Sequence, residues 1–292
     1  MAAVDSPPSI PNSAGTSRPR FATPALACDA HLHIYDARFP MALPRNRATP
    51  EASVAEYRLL QRRLGTTRAV VVQPAAYGTD NRVTLDAIAQ LGADNARGIG
   101  VLQPDVTDAE LESLDAGGIV GLRFTQHDPA TAVTTREMIE PLAHRIAELG
   151  WHTQLHLRAE QIVALAPVIE RLPGTIVFDH MGRLPQPEGI LDPAFAIVRR
   201  QLETGRAWVK LSGPYLETRT GAPRYADVTR VARELARIAP ERCVWGSDWP
   251  HPTERDAKPD DAVLFDLLQE WVPDEASRSR ILVHNPATLY GF

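Results

Sequence analysis

Short segments rich in β-branched residues alternate along the chain with longer segments in which apolar residues recur at helical spacing. Eight β-prone segments can be counted: CDAHLHI (28–34), RAVVVQP (68–74), RGIGVLQP (97–104), GIVGLRF (118–124), WHTQLHL (151–157), TIVFDH (175–180), AWVKLSG (207–213) and RCVWGSD (242–248). Regular alternation is typical of α/β proteins built on a parallel sheet. The chain is therefore limited to a few folds, chiefly the (βα)8 barrel and the doubly wound open sheet.

Seven segments between these strands carry the features of capped helices. Several begin at Ser, Thr or Asp and end at Gly, as capped helices do. Thr107 and Glu110 have the spacing of a capping box. The seven are SVAEYRLLQRRLG (53–65), NRVTLDAIAQLG (81–92), TDAELESLDAGG (107–118), TTREMIEPLAHRIAELG (134–150), AEQIVALAPVIERLPG (159–174), DPAFAIVRRQLETG (192–205) and YADVTRVARELARIAP (225–240).

The doubly wound sheet lacks its usual signature in this sequence. Such a sheet normally carries a Gly-rich phosphate loop after its first strand, and none follows HLHIYD (31–36). Eight strand–helix units in 292 residues are typical of a barrel. We therefore predict an α/β protein in which residues 27–292 form a single (βα)8 TIM-barrel catalytic domain.

The first 26 residues are expected to lie outside this barrel. They are rich in Pro, Ser and Ala, which predicts a flexible tail, and they lack the apolar region of a secretory signal. Only two cysteines are present, Cys28 and Cys243, which favours a reduced, cytoplasmic protein. The net charge of −5 and the absence of basic or long apolar stretches argue against nucleic-acid and membrane partners. Monomer and homo-oligomer are both left open.

Polar residues recur at the carboxyl ends of the predicted strands, where barrel enzymes place their chemistry. They are His31, His33, Gln73, Gln103, Arg123, Gln154, His156, Asp179, His180, Lys210, Ser212 and Asp248. Each taken singly has a structural interpretation, but buried strands should be mostly apolar, so the combination favours convergence on one pocket. The motifs of serine hydrolases and P-loop enzymes are absent from the sequence.

Several motifs resemble those of a known family. DAHLH (29–33), FDHMGR (178–183) and WGSDWPHP (245–252) are similar to motifs of the amidohydrolase superfamily, in its amidohydrolase-related family 2. Together with YGTDNRVTLDAIA (77–89) and NPATLYGF (285–292), they most resemble the branch of 2-pyrone-4,6-dicarboxylate lactonase and related sugar-lactone and muconolactone hydrolases. The resemblance runs from about Ala27 to the carboxyl terminus.

This resemblance implies a (βα)8 barrel that hydrolyses a lactone, a cyclic carboxylic ester, in sugar or aromatic catabolism. By motif match, Asp248 would be the general base that takes a proton from the attacking water. His31, His33 and His180 would surround the carbonyl group and stabilise the charge that develops on its oxygen.

The resemblance leaves the cofactor open between one divalent metal ion and none. Many amidohydrolases hold a metal ion with first-strand histidines, a fifth-strand histidine and the last-strand aspartate. The matching set here is His31, His33, His156 and Asp248, which would suit Zn²⁺. The dicarboxylate lactonase works without metal and has a tyrosine in place of His156.

Six residues are candidates for contacts with a small lactone or carboxylate substrate: Arg123, Gln73, His156, Lys210, Arg219 and His251. The loop TQHDPATA (125–132) lacks the basic residues that hold the second carboxylate in the dicarboxylate lactonase. A sugar-acid lactone or a monoanionic lactone is therefore expected.

Three alternatives to lactone hydrolysis are open: a lactone isomerase, a metal-dependent decarboxylase or hydratase of the same superfamily, and a non-catalytic sugar-acid binding protein. The presence of both His31 and Asp248 favours hydrolysis.

Overall fold

The fold is an eight-stranded parallel barrel, seen in a computed structural model that describes residues 9–42, 51–128 and 132–292. Within these residues the strands pair in chain order, and a parallel bridge joins Leu32 of the first strand to Trp249, four residues beyond the last strand. The strands are β1 (Cys28–Leu32), β2 (Arg68–Val72), β3 (Ala96–Gly100), β4 (Ile119–Thr125), β5 (His152–His156), β6 (Ile176–Phe178), β7 (Ala207–Leu211) and β8 (Cys243–Trp245). The predicted (βα)8 barrel is confirmed.

Ten α-helices lie within the described part of the chain, and the first seven correspond to the predicted segments. They are α1 (Val54–Leu64), α2 (Arg82–Leu91), α3 (Asp108–Ala116), α4 (Arg136–Ala147), α5 (Ala159–Arg171), α6 (Pro193–Glu203), α7 (Ala226–Ile238), α8 (Asp261–Trp271), α9 (Glu275–Ser279) and α10 (Asn285–Tyr290). The predicted capping box of α3 is present, because Thr107 and Glu110 each accept a hydrogen bond from the other's backbone N–H. None of the described helices is long and apolar enough to cross a membrane.

The strands bury both faces, as expected of a parallel barrel. Val70 and Val72 of β2 point into the barrel, where they join a cluster with Ile99 and Val244. Val71 points the other way and packs in the larger core between the sheet and the helices. The core thus has two layers, and polar side chains are displaced to the ends of the strands.

A register shift in β1 decides where its histidines point. Cys28 and Ala30 pack inside the barrel, whereas Asp29 points outward and contacts Tyr57 of α1. Simple alternation would send His31 outward with Asp29. The pairing of β1 with β2 is irregular between Asp29 and Leu32. Because of this irregularity, both His31 and His33 face the carboxyl end of the barrel interior. Alternation places the two imidazoles on the same side of the strand, and the bulge turns that side toward the barrel interior.

Residues 9–26 lie against the barrel, whereas the sequence predicts a flexible tail; residues 1–8 are outside the described residues. Phe21 stacks on Phe265 of α8 with ring centres 4.8 Å apart, and Pro11 accepts a hydrogen bond from the Trp249 indole at 3.0 Å. Buried Arg63 of α1 donates to the carbonyl oxygens of Ala14 and Ser17. The division of the chain at residues 26 and 27 stays a prediction.

Arg63→Met should lower the free energy of unfolding by about 1–3 kcal/mol, because two carbonyl groups and the Asp260 carboxylate would lose their donor. The matched control is Arg62→Met at the exposed neighbouring position, which should stay within about 0.5 kcal/mol of the wild type. Urea denaturation followed by circular dichroism measures both. Equal effects in the two variants would show that residues 9–26 are not held through Arg63.

Candidate active site

Four predicted catalytic residues meet at the carboxyl end of the barrel. The Nε2 atoms of His31 and His33 are 3.3 Å apart, and they lie 3.6 and 3.4 Å from Oδ1 of Asp248. His180 Nε2 lies 4.0 Å from the same oxygen. All four side chains are nearly inaccessible to solvent. One carboxylate oxygen is thus surrounded by three imidazoles, which is the convergence that the strand-end pattern predicts.

The loop after β8 approaches β1 so closely that only glycine fits at position 246. A Cβ atom there would lie 2.6 Å from Cβ of His31 and 2.8 Å from its backbone nitrogen. Two backbone hydrogen bonds then join the segments, from Asp248 N–H to His31 O and from His33 N–H to Trp249 O, both at 2.8 Å. Asp248 itself adopts a left-handed backbone conformation with φ of 62°. Such strain in a non-glycine residue is common at functional sites.

Buried Asp29 holds the backbone at the base of the site. Its carboxylate accepts hydrogen bonds from His31 N–H at 3.2 Å and from both the backbone and hydroxyl groups of Ser247, at 2.9 and 2.6 Å. The Tyr57 hydroxyl donates a fourth at 3.1 Å. Asp29 therefore positions His31 through the main chain.

Asp179 lies at the centre of a second buried network. Its carboxylate accepts hydrogen bonds from Arg123 of β4 at 2.8 Å and Gln154 of β5 at 3.1 Å. Nδ1 of His31 is 3.4 Å away, and Nζ of Lys210 is 3.8 Å away. Burial alone would raise the pKa of Asp179, but Arg123, His31 and Lys210 hold it well below its usual range. A permanent negative charge therefore lies under the histidines.

The catalytic carboxylate and its imidazoles are expected in complementary protonation states at neutral pH. Burial lowers the pKa of His180 to about 4, and burial together with the Lys210 charge lowers that of His31 well below its ordinary value. Burial would raise the pKa of Asp248, but His180, His33 and His31 keep it well below its usual range. Asp248 is therefore ionised and able to accept a proton, beside the neutral imidazoles of His31 and His180.

The donor atoms fit a divalent cation. His33 Nδ1 is 2.8 Å from the carbonyl oxygen of Val72, which only accepts, so Nδ1 carries a proton and Nε2 is the ring nitrogen of His33 that is placed to bind a metal ion. Nδ1 of His31 lies 3.4 Å from both Asp179 Oδ1 and Nζ of Lys210, and Nε2 of His31 is free for a metal ion in the tautomer whose proton lies on Nδ1, facing Asp179. The separations of 3.3, 3.4 and 3.6 Å among the three ligand atoms suit a tetrahedral ion with bonds of about 2.0–2.2 Å. The site therefore contains residues able to hold a metal ion.

The fourth predicted ligand, His156, lies apart from this set. Its Nε2 faces Nη1 of Arg183 at 3.3 Å, where it accepts a hydrogen bond, and its ring contacts His180 edge to face at 5.3 Å. Nδ1 of His156 is buried without a hydrogen-bond partner. The metal-ligand role of His156 stays a prediction that the arrangement of its Nε2 does not favour.

Lys210 and Gln73, which the sequence predicts to contact substrate, make hydrogen bonds within the protein. Lys210 is fully buried below the site, and Nζ donates to the carbonyl oxygen of Ala30 at 2.9 Å. Gln73 uses its amide within the loop after β2, where it donates to the carbonyl oxygens of Gly78 and Asp80. The Gln73 amide and the Lys210 ammonium group are thus engaged within the protein, and their substrate-binding roles stay predictions.

His251 and Arg219 also differ from the expected arrangement, whereas Arg123 lies beside the cluster. His251 is fully buried, with its ring nitrogens bonded to Tyr215 and Asp261. Arg219 is exposed on the loop after β7. Residues 129–131 of the predicted substrate loop lie outside the described residues. The substrate-binding roles of Arg123 and His156 stay predictions.

Four residues near the site were not predicted: Arg183, Tyr215, Glu217 and Asp261. Arg183 pairs with Glu217 at 2.6 Å, and the Tyr215 hydroxyl donates to Oδ2 of Asp248 at 2.7 Å. Arg183 belongs to the FDHMGR motif, so it could have been suspected. The others lie in a loop and at a helix start, where polar residues are ordinary and carry no signal of their own.

Asp179→Asn should lower the free energy of unfolding by about 3–5 kcal/mol, because it leaves Arg123 and Lys210 buried without their counter-charge. Adding Lys210→Met to Asp179→Asn should cost less than the sum of the two single changes, since it removes one unpaired cation. Urea denaturation of the three variants checks this. Strict additivity would contradict the proposed charge balance.

The family model described as Amidohydrolase matches residues 28–292. The chain is 36% identical to a 2-pyrone-4,6-dicarboxylate hydrolase of Comamonas testosteroni, over 95% of this chain and 94% of the relative. It is 36% identical to a 4-sulfomuconolactone hydrolase of Rhizobium radiobacter, with 93% and 92% covered. A D-galactarolactone isomerase of Agrobacterium fabrum is 33% identical, with 93% of each chain covered.

Proposed function

The chain belongs to the amidohydrolase family, and we propose that it hydrolyses a lactone, acting on the ring's carboxylic ester bond. The observation that carries this proposal is the ionised Asp248 carboxylate facing three imidazoles at 3.4–4.0 Å. Such a group is placed to take a proton from water beside a polarised carbonyl. Two relatives that are named as lactone hydrolases support the choice of substrate.

The catalytic cycle needs one proton acceptor and one hydrogen-bond donor for the carbonyl oxygen. Asp248 Oδ1 takes a proton from a water molecule while the oxygen atom of that water attacks the carbonyl carbon of the ring. His180 receives a hydrogen bond on Nδ1 when Ser212 donates to it across 2.9 Å, which leaves its Nε2–H for the developing oxyanion. The ring C–O bond then breaks, and the proton on Asp248 passes to the leaving oxygen. The product is an open-chain hydroxy acid.

We propose that the cation suited to His31, His33 and Asp248 is Zn²⁺, since two imidazole nitrogens and one carboxylate oxygen with an open position match its preferences. When bound, it would supply Lewis acidity toward water or the carbonyl oxygen.

The substrate class follows from how the arginines are engaged. Arg183 is paired with Glu217 and also donates to His156, while Arg123 is paired with Asp179. Of the described residues, Arg123 and Arg183 are thus already paired and are not free to bind a second substrate carboxylate. We propose a sugar-acid or other monoanionic lactone of carbohydrate or aromatic catabolism. We also propose a cytoplasmic location, in keeping with Cys28 and Cys243, which are buried as free thiols.

Asp248→Asn should reduce lactone hydrolysis at least about 1,000-fold with the fold retained, since the amide cannot accept the proton from water. A panel of aldonolactones and muconolactones, assayed for acid release with a pH indicator, measures the loss. In H₂¹⁸O the wild type should place one ¹⁸O atom in each product carboxylate. Turnover without ¹⁸O incorporation would indicate an isomerase, and undiminished hydrolysis by the variant would exclude Asp248 as the base.

For the cofactor, protein purified without chelators should contain about one zinc ion per chain by elemental analysis. Dialysis against a chelator should lower both activity and the melting temperature, because a ligand held only by the folded state stabilises it. His33→Ala should abolish this dependence of the melting temperature on zinc. Full activity and unchanged melting at trace metal content would contradict the zinc proposal.

A further inference from the structure

We propose that Tyr215, His251 and Asp261 form a hydrogen-bonded chain that orients the Asp248 carboxylate, so that one of its oxygens is kept for the reaction. This inference rests on the proposed function, in which Asp248 is the general base. The three are positioning residues, since they act through Asp248 and need not contact substrate.

The two oxygens of Asp248 have separate surroundings. Oδ1 faces the three imidazoles, at 3.4 Å from His33, 3.6 Å from His31 and 4.0 Å from His180. Oδ2 accepts a hydrogen bond from the Tyr215 hydroxyl at 2.7 Å. Rotation about the Cβ–Cγ bond would exchange these oxygens, and the bond to Tyr215 opposes that rotation.

The chain continues beyond Tyr215 to the start of α8. The Tyr215 hydroxyl oxygen is 2.9 Å from Nδ1 of His251, and Nε2 of His251 is 3.1 Å from Oδ2 of Asp261. His251 and Asp261 are both inaccessible to solvent. Because Asp261 is the first residue of α8, the far end of the chain is anchored to a regular helix.

Counting hydrogens shows the direction of these bonds. A tyrosine hydroxyl has one hydrogen, and beside an ionised carboxylate that hydrogen is donated to Oδ2 of Asp248. The oxygen of Tyr215 must then accept from Nδ1–H of His251. Nε2 of His251 faces Oδ2 of Asp261 at 3.1 Å. The two hydrogen bonds that link His251 to Asp248 through Tyr215 are therefore both donated in the direction of Asp248.

The backbone couples His251 to Asp248 as well. The N–H of His251 donates to the carbonyl oxygen of Asp248 at 2.8 Å, and both residues have left-handed φ values, 56° and 62°. Nζ of Lys258 donates to the carbonyl oxygens of Pro250 and His251 at 2.8 and 2.9 Å. This closed turn holds the base and the imidazole behind it as one unit.

A purely structural role does not account well for the chain. A buried imidazole–carboxylate pair loses hydration, and replacement by apolar residues of similar volume is often neutral or stabilising. The chain ends on the oxygen of Asp248 that faces away from the histidine cluster. A role in fixing the orientation of that carboxylate explains both its position and its direction.

Tyr215→Phe should lower kcat about 10–100-fold while KM changes less than about twofold, because the base is misoriented while the substrate contacts remain. His251→Ala should give a similar loss, and the double variant should lose no more than either single one, since the chain acts as a unit. The matched control is Tyr290→Phe, which removes a buried hydroxyl group that has no hydrogen-bond partner and should leave kcat unchanged.

A second measurement does not depend on activity. The His251 Nδ1 proton should give a downfield, slowly exchanging ¹H NMR signal that shifts in Tyr215→Phe and Asp261→Asn and is absent in His251→Asn. If the wild type opens no lactone but this signal behaves as described, the proposed function fails and the hydrogen-bonded chain stands. Wild-type kcat in Tyr215→Phe, a loss confined to KM, or a signal unaffected by Tyr215→Phe would each overturn the positioning role.

Discussion

One buried carboxylate, that of Asp179, connects side chains from four strands. It accepts hydrogen bonds from Arg123 and Gln154, and it lies within 4 Å of His31 and Lys210. Two cations and one anion in an apolar interior are tolerated only with such close pairing. Because His31 rests on this network, the geometry of the whole site depends on it.

Asp248 is held between two different environments on opposite sides of its carboxylate. The imidazoles near Oδ1 provide the reacting side, and the chain through Tyr215 occupies Oδ2. The left-handed backbone of Asp248 and the close contact between Gly246 and His31 place the carboxylate between these two environments. Precise orientation of a general base thus depends on residues from β1, from the loop after β7 and from the start of α8.

Much of the fold and of the candidate active site could be predicted from the sequence, because strand periods, helix periods and short sequence motifs are local patterns. The eight strands and the aspartate and histidines of the cluster were predicted correctly as neighbours. Other residues that were predicted to contact substrate make hydrogen bonds within the protein. The Gln73 amide donates to a carbonyl oxygen of its own loop, and His251 is hydrogen-bonded to Tyr215. Tyr215 and Glu217 lie in a loop, and the composition of that loop does not indicate that they contact Asp248 and Arg183.

The barrel and the set of chemical groups at its carboxyl end can be inferred from the amino-acid sequence, because these depend on periodicity and on which residues end each strand. Which of those groups lie in contact depends on the packing of the folded chain. The bulge in β1 turns His31 inward, and the pairing of Arg183 with Glu217 engages an arginine. Such contacts join residues far apart in the chain, and their geometry depends on how the strands and loops pack together.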